Sequence, residues 1–110
     1  MDIKFTKKTN TLIVKFDGEL DHHVADQLKE KIDKEYNTGF KNLIFDLKNV
    51  NFMDSSGIGV IIGRYKKVKE KNGKVVLVNA NSQLNKIIEI SGLMRIIKCY
   101  NSIEEALKSM

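Results

Sequence analysis

The sequence predicts an α/β domain in which a mixed sheet, with an antiparallel N-terminal edge, carries helices mainly on one face. Three observations predict this class: two alternating apolar stretches near the N-terminus, two short and mostly apolar runs further along, and helical apolar stripes. The elements follow the order ββαβαβαβα, and strands separated by helices in this way pair in parallel. A length of 110 residues without linker or repeat fits a single domain, 1–110.

The N-terminal hairpin and the first helix follow from the spacing of apolar residues. Around a turn at 7–10, two strands alternate apolar and polar positions, the apolar ones being Ile3, Phe5, Leu12, Val14 and Phe16. The next stripe repeats every four residues and predicts a helix bearing Val24, Leu28, Ile32 and Tyr36. We expect Asp21 to be the N-cap of this helix and Gly39 to lie at its C-cap.

Three strands and three helices are predicted beyond this point. The mostly apolar run at 43–47, interrupted only by Asp46, and the unbroken apolar run at 75–78 indicate buried strands. A helix stripe between them ends at 72–73, and its members are Ile58, Ile61, Ile62, Tyr65 and Val68. Asn81 or Ser82 caps a short helix that ends at Gly92. A last short strand is expected at 96–97. A terminal helix then begins with a capping box, which is formed by Ser102 and Glu105.

Composition limits the classes of partner. The formal net charge is +5, but the lysines are spread over every segment, so we expect no direct nucleic-acid partner and no membrane partner. Cys99 is the only cysteine, which excludes an internal disulfide and favours a reducing compartment. No apolar run approaches roughly 18 residues, and the N-terminus has no signal-peptide pattern. We therefore expect a cytoplasmic protein.

The stretch FMDSSGIGV, residues 52–60, lies between a predicted parallel strand and a predicted helix. The carboxyl end of such a strand is where α/β proteins usually place their sites. Asp54, Ser55 and Ser56 are all good N-cap residues. Gly57 and Gly59 are poor helix formers, however, so close approach of a backbone or a ligand explains them better than capping does.

Catalytic interpretations of this stretch find little support. The glycines imitate a dinucleotide fingerprint, but the next strand does not end in the acidic residue that such a site needs. A hydrolase triad would have to combine Ser55 with His22 or His23 and with Asp21 or Asp46, without the usual nucleophile motif. Asp21-His22-His23 also occurs in metal phosphoesterases, but two histidines are too few for a paired-metal centre.

A third possibility is that a serine here accepts a phosphoryl group. A hydroxyl at a helix N-terminus is exposed, and the helix dipole with its free N–H groups tolerates phosphate. Phosphorylation adds about −1.5 to −2 charges beside Asp54 and near Asp21. A partner docked over an apolar rim of Phe52, Met53 and Ile58 would lose contacts. From the residues alone, capping, close approach and phosphoryl acceptance all stay open.

Three segments resemble the STAS-domain anti-sigma factor antagonists: Gly18 to His23, Phe52 to Lys66, and Ser91 to Leu93. The resemblance spans essentially the whole chain, and the long central segment is the specific one. Within the family, the sequence segments GELDHH and GRYK favour a sporulation member. An antagonist of a general-stress or other sigma pathway is the alternative.

The resemblance implies a function that composition and spacing do not give. Members bind an anti-sigma factor that is also a serine kinase and so release the sigma factor. The kinase phosphorylates the serine after the motif aspartate, which is Ser55 here, and a serine phosphatase restores the free hydroxyl. Ser56 would be a helix cap, and Asp21 would lie near Ser55. The implied partner-binding residues are Asp21, Phe52, Met53, Asp54, Ser55, Ser56, Gly57 and Ile58. No catalytic residue, cofactor or metal is expected.

Overall fold

The computed structural model describes residues 2–110, and the predicted order of elements is confirmed. Within these residues, five strands and four helices follow one another as ββαβαβαβα. Their bounds are β1 (Asp2–Lys8), β2 (Thr11–Leu20), α1 (Ala25–Tyr36), β3 (Asn42–Met53), α2 (Ser55–Glu70), β4 (Val75–Val78), α3 (Ser82–Ser91), a 3-10 turn (Leu93–Arg95), β5 (Lys98–Tyr100) and α4 (Ile103–Ser109). None of the helices in this range combines the length and apolar character needed to cross a membrane.

The strands form one mixed sheet in the order β1-β2-β3-β4-β5. The β1–β2 pair is antiparallel and is closed by a two-residue turn, in which Thr9 takes the left-handed conformation with φ +53°. The other three pairs are parallel, and their crossover connections contain α1, α2 and α3. The predicted antiparallel N-terminal edge is therefore confirmed.

Apolar side chains of the sheet alternate between two layers, as the period of two requires. One face packs against α1, α2 and α3, and there the rings of Phe16 and Phe45 stack with their centroids 5.8 Å apart. The other face carries Ile44 and Val76 and is covered by α4 through Ala106. Burying one such phenyl ring stabilises the fold by roughly 1.5–3 kcal/mol. Three helices on one face and one on the other agree with the predicted distribution.

Two predicted caps of α1 are wrong. The helix begins at Ala25 after Val24, which makes no side-chain capping bond. The Asp21 carboxylate instead accepts the backbone N–H of His23 at 3.0 Å and closes a turn that precedes the helix. At the other end the C-cap is Asn37, and Gly39 takes φ +134° two residues later, in the connection to β3.

Two predicted strands differ in extent. The strand expected at 43–47 continues to Met53, because β2 extends to Leu20 and pairs with it in parallel over the same length. The last strand lies at Lys98–Tyr100 rather than at 96–97. Ile96 N–H closes the 3-10 turn on Leu93 O at 3.1 Å, and Ile97 N–H donates to the same oxygen at 2.9 Å, so neither N–H is available to the sheet.

Gly73, which follows α2, is required because of a close contact and not because of its backbone dihedral angles. Asn72 takes the positive φ, +61°, that ends the helix. A Cβ on Gly73 would lie 2.0 Å from Lys41 O, so no larger residue fits between the end of α2 and the start of β3. The predicted stop at 72–73 is thus confirmed and has two separate physical causes.

The predicted starts of α3 and α4 are confirmed with one difference. Asn81 Oδ1 accepts the N–H of Leu84 at 2.8 Å, and Ser102 Oγ accepts that of Glu105 at 3.1 Å. The Glu105 carboxylate returns to the N–H of Asn101, however, and not to that of Ser102 as in a full capping box.

Candidate functional site

Two of the three singled-out segments meet at the carboxyl edge of the sheet. Leu20 at the end of β2 pairs in register with Met53 at the end of β3, so the residues that follow the two strands lie side by side. The N–H of Asp54 donates to Leu20 O at 3.3 Å and joins the two connections directly. This edge is the usual place for a site in an α/β sheet.

Asp54 is the residue that organises this edge. It is the N-cap of α2, and its Oδ1 accepts the N–H groups of Ser56 at 2.9 Å and of Gly57 at 3.1 Å. Its Oδ2 accepts the backbone N–H of His22 at 3.2 Å. One carboxylate therefore starts α2 and also holds the connection after β2 against it. The expectation that Ser56 caps the helix is wrong, because Ser56 supplies a donor to the cap.

The charge of Asp54 is stabilised where it lies. Desolvation acts to raise the pKa of this carboxyl group. The hydrogen bonds from the backbone of Gly57 and His22, the His22 side chain and the backbone of Ser56 outweigh it, so the pKa of Asp54 lies below its ordinary value. The carboxylate is thus ionised at neutral pH, with a fixed negative charge next to Ser55.

The two serines differ in access. Ser55 is the first residue of α2 and is exposed, whereas Ser56 is partly buried. Among residues 2–110, none forms a side-chain hydrogen bond with the hydroxyl group of either serine. The hydroxyl of Ser55 is therefore presented to solvent at the N-terminus of a 16-residue helix.

Gly57 is required by the packing of α2 on β2. A Cβ at this position would lie 2.2 Å from Leu20 O and 2.7 Å from Met53 Cγ. The predicted close approach of a backbone is therefore confirmed for Gly57. Gly59 differs, because among residues 2–110 no atom lies within 4 Å of the place where its Cβ would be.

The two histidines contact acidic side chains rather than a serine. His22 Nδ1 lies 3.4 Å from Asp54 Oδ2, and His23 Nδ1 lies 3.6 Å from Asp21 Oδ1. The two rings are stacked at a tilt, with centroids 4.0 Å apart. Within residues 2–110 no hydrogen bond joins either ring to Ser55.

Neither the hydrolase triad nor the metal centre considered for this stretch is assembled within residues 2–110. Asp46 is buried under the sheet edge, where its Oδ1 accepts from the backbone of Lys48 and from Asn79 Nδ2. It is thus engaged away from Ser55, and His22 is held by Asp54. Among the residues described, no group of three or more His, Cys, Asp or Glu side chains is placed to hold a metal ion.

Burial divides the residues singled out for partner binding. Phe52 is 46% exposed, a large fraction for a phenyl ring within a strand of the sheet. Met53, Gly57 and Ile58 are buried and shape the edge from below. The accessible surface is formed by Asp21, Phe52, Asp54, Ser55 and Ser56, and we name it the Ser55 surface.

Sequence reasoning missed two neighbours of this surface. The backbone oxygen of Leu20 is the atom against which Gly57 packs, and the backbone N–H of His22 donates a hydrogen bond to Asp54. The parallel pairing of the strands that precede them was a usable signal, since it places the residues after both strands together. An open acidic cavity of about 400 Å³ beside the surface is also lined by Glu19, which lies within the segment Gly18 to His23, and by Asp17, which no motif indicated.

The third segment, Ser91 to Leu93, lies at the end of α3 and has a structural role. Gly92 takes the left-handed conformation at φ +79°, and Ser91 Oγ donates to Ile88 O at 2.7 Å while it accepts from the N–H of Leu93. This is a helix stop.

The fold and the Ser55 surface define an α/β domain that presents a serine hydroxyl, a fixed carboxylate and a phenyl ring at one edge of its sheet. The model of the STAS domain matches residues 2–106, and the chain belongs to this family. The family resemblance noted in the sequence is confirmed.

Within this family, the chain is similar to relatives and solved structures that are named as anti-sigma factor antagonists. An anti-sigma F factor antagonist of Paenibacillus polymyxa is 34% identical, over all of this chain and 95% of the relative. An anti-sigma-B factor antagonist of Bacillus subtilis is 36% identical over 88% of this chain and 86% of its own length. The Bacillus protein SpoIIAA is similar in its unphosphorylated form, with a TM-score of 0.85 at 29% identity over 98% of this chain and 95% of that chain. Its phosphorylated form gives a TM-score of 0.76 at 27% identity over 98% of each chain.

Proposed function

We propose that this chain is an anti-sigma factor antagonist that is switched by phosphorylation of Ser55. In its unphosphorylated form it binds an anti-sigma factor with serine kinase activity, and the sigma factor is released. The observation that carries the proposal is the exposed hydroxyl of Ser55 at the start of α2, beside the ionised Asp54. Relatives named as antagonists, and a similar protein solved with and without phosphate, support it.

The geometry explains why a phosphate here would act as an off switch. The first N–H groups of α2 would ordinarily stabilise an anion. Those of Ser56 and Gly57 already donate to Asp54 Oδ1, so a phosphate on Ser55 finds them occupied. About −1.5 to −2 further charges then meet the carboxylate of Asp54. The added charge is repelled by its own surface and stays fully hydrated, which opposes docking of a partner.

The energy needed for switching is modest. Each 1.4 kcal/mol of lost binding free energy lowers affinity about tenfold. Desolvating a phosphate against a carboxylate costs several kcal/mol. Phosphorylation of one hydroxyl is therefore sufficient to lower the affinity by two or more orders of magnitude, without any change in the fold.

Phe52 is the expected apolar anchor for the partner. An exposed aromatic ring on a docking surface is typical of residues that dominate binding energy. Asp21, Asp54 and Ser56 complete the rim of the Ser55 surface, and the buried Met53, Gly57 and Ile58 hold its shape. The chain supplies a substrate serine and a docking surface, and the proposal assigns it no catalysis of its own.

Mass spectrometry after incubation with the partner kinase and Mg-ATP tests the acceptor. We expect one phosphate on the wild-type protein and on Ser56→Ala, and none on Ser55→Ala. Phosphate that persists on Ser55→Ala and disappears from Ser56→Ala would move the acceptor to Ser56 and overturn the assignment.

Calorimetry of Ser55→Asp and Ser55→Asn tests the switch, since these side chains have equal size and differ in charge. We expect Ser55→Asp to bind the kinase at least about tenfold more weakly than Ser55→Asn, with both proteins fully folded. Equal affinities would mean that charge is not what ends the interaction.

The sigma pathway is the less defined part of the proposal. The segments GELDHH and GRYK favour a sporulation pathway, and the relative that antagonises an anti-sigma-B factor supports a general-stress pathway as the second candidate. A serine phosphatase would complete the cycle by removing phosphate from Ser55. Pull-down with an anti-sigma-F-type and an anti-sigma-B-type kinase, each tested with Ser55→Asp as the negative control, distinguishes the pathways.

A further inference from the structure

A groove lies at the opposite end of α2 from Ser55, where the start of β4 is flanked by the chain that enters β5. It encloses about 200 Å³. Three lysines line it, and each comes from a different part of the chain: Lys69 from the last turn of α2, Lys74 from the residue before β4, and Lys98 from the start of β5. We name this feature the lysine groove.

The charge of the lysine groove is of one sign. Among residues 2–110, none of those that line it is acidic. Lysines at the end of a helix also complement the helix dipole, and this accounts for Lys69 alone. It does not account for Lys74 and Lys98, which lie outside helices and converge on the same groove.

Backbone hydrogen bonds hold the base of the groove, whereas the lysines at its rim are exposed. The backbone of Lys74 forms two hydrogen bonds with the start of β3. Its N–H donates to Asn42 Oδ1 at 2.9 Å, and its O accepts from the N–H of Leu43 at 2.9 Å. Val75 and Val76 are buried and form part of the floor. The ammonium groups are exposed, and the Lys74 Nζ makes only a long bond, 3.4 Å, to the backbone O of Ser109.

We propose that the lysine groove binds a small anion that carries two or more negative charges, of the phosphate or diphosphate type. Three ammonium groups without an acidic neighbour complement such an anion, and ammonium is a common point-charge partner of phosphate. The volume is below the roughly 300–1,000 Å³ of pockets that take drug-sized ligands. A compact ion fits it and a larger cofactor does not. The site is independent of the Ser55 surface and of the proposed switch.

The test uses inorganic pyrophosphate as the probe, titrated into the ¹⁵N-labelled full chain at constant ionic strength. We expect saturable amide shifts at Val75, Val76 and Lys98, and little change around Ser55. Lys74→Gln and Lys98→Gln should each weaken binding about two- to fivefold, as expected for one exposed charge contact. Lys31→Gln on α1 removes the same charge elsewhere and should leave the affinity unchanged.

Two results would overturn the proposal. Shifts that spread over lysines of every segment without saturating would mean general screening by the added anion. A loss of affinity in Lys31→Gln equal to that in the groove variants would mean that net charge is responsible. Each variant is first compared with the wild type by its unliganded amide spectrum. If Lys74→Gln disturbs β4, the exposed Lys98→Gln decides the test.

Discussion

The two ends of α2 are held to the rest of the domain by different kinds of contact. At the N-terminal end, Gly57 lies against the backbone of Leu20, and Asp54 gathers N–H groups from two connections. In the C-terminal half, Arg64 and Lys67 both reach Asp33 on α1 through long side chains. Gly57 has no room for one more carbon atom, whereas the long side chains of Arg64 and Lys67 can adjust. The stability of the protein is therefore expected to be more sensitive to a small change at Gly57 than to the loss of either ion pair.

Gly57→Ala should cause the largest effect. The added Cβ would lie 2.2 Å from Leu20 O, a backbone atom that cannot move without disturbing β2. We expect the free energy of unfolding to fall by about 2–3 kcal/mol, the upper part of the range for overpacked sites. Urea denaturation followed by circular dichroism measures this change.

Gly59→Ala is the matched control for that substitution. It adds the same atom two residues later in the same helix, at a position with open space. Removing a helical glycine there should stabilise the protein by up to about 1 kcal/mol. Equal losses in the two variants would contradict the close contact at Gly57.

Arg64→Met should have the next largest effect and probes the other end of α2. Arg64 is 7% exposed, and its Nε lies 2.9 Å from Asp33 Oδ1. Within residues 2–110 this Nε has no acceptor at hydrogen-bonding angles, so the contact is an ion pair of imperfect geometry. Removing it leaves Asp33 with one exposed partner, and we expect a loss of about 1–2 kcal/mol.

Lys67→Met removes the exposed partner of the same Asp33 and is the control for Arg64→Met. Surface pairs contribute about 0–1 kcal/mol, so the loss should be smaller. If the two variants lose the same free energy of unfolding, burial of Arg64 is not what makes its ion pair matter.

Phe52→Ala should affect binding and leave the fold almost unchanged. The ring is about half exposed, so the free energy of unfolding should change by less than about 1 kcal/mol. Loss of a central aromatic anchor should weaken binding to the anti-sigma kinase about tenfold or more. Calorimetry measures the affinity. Ile90→Ala removes an even more exposed apolar side chain, 87% exposed on α3, and should not change it.

The sequence was sufficient for the order of elements, because that order depends on local periodicity, and for the meeting of two singled-out segments at one edge of the sheet. Val75 to Val78 had to be a covered strand, and residues after parallel strands had to meet at one edge. What it could not give depends on pairing between distant segments. The length of β3 is set by β2, the N-cap function of Asp54 is completed by His22, and Asp21 closes a separate turn. The need for Gly57 could be anticipated, but its partner Leu20 could not.

Asp54→Asn should have the smallest effect on stability, and that effect should depend on pH. Asparagine caps a helix about as well as aspartate, so the substitution keeps the cap through its one acceptor oxygen. It removes the charge, and its amide NH2 group replaces the oxygen that accepts the exposed His22 N–H. At pH 7 we expect a loss below about 1 kcal/mol. The pKa of Asp54 is lowered in the folded state, mainly because hydrogen bonds from Gly57, His22 and Ser56 overcome desolvation.

The sign of the pH dependence follows from this lowered pKa. A carboxyl group whose pKa is lower in the folded state contributes stability above its unfolded pKa, about 3.9. This contribution is lost as the pH falls through the folded value. The free energies of unfolding of the wild type and Asp54→Asn should therefore differ above about pH 5 and converge as the pH falls through the lowered pKa of Asp54. Urea denaturation across this range measures them, with Asp26→Asn, an exposed carboxylate in the first turn of α1, as the control for charge. A difference that stays constant with pH would show that the charge of Asp54 does not stabilise the start of α2.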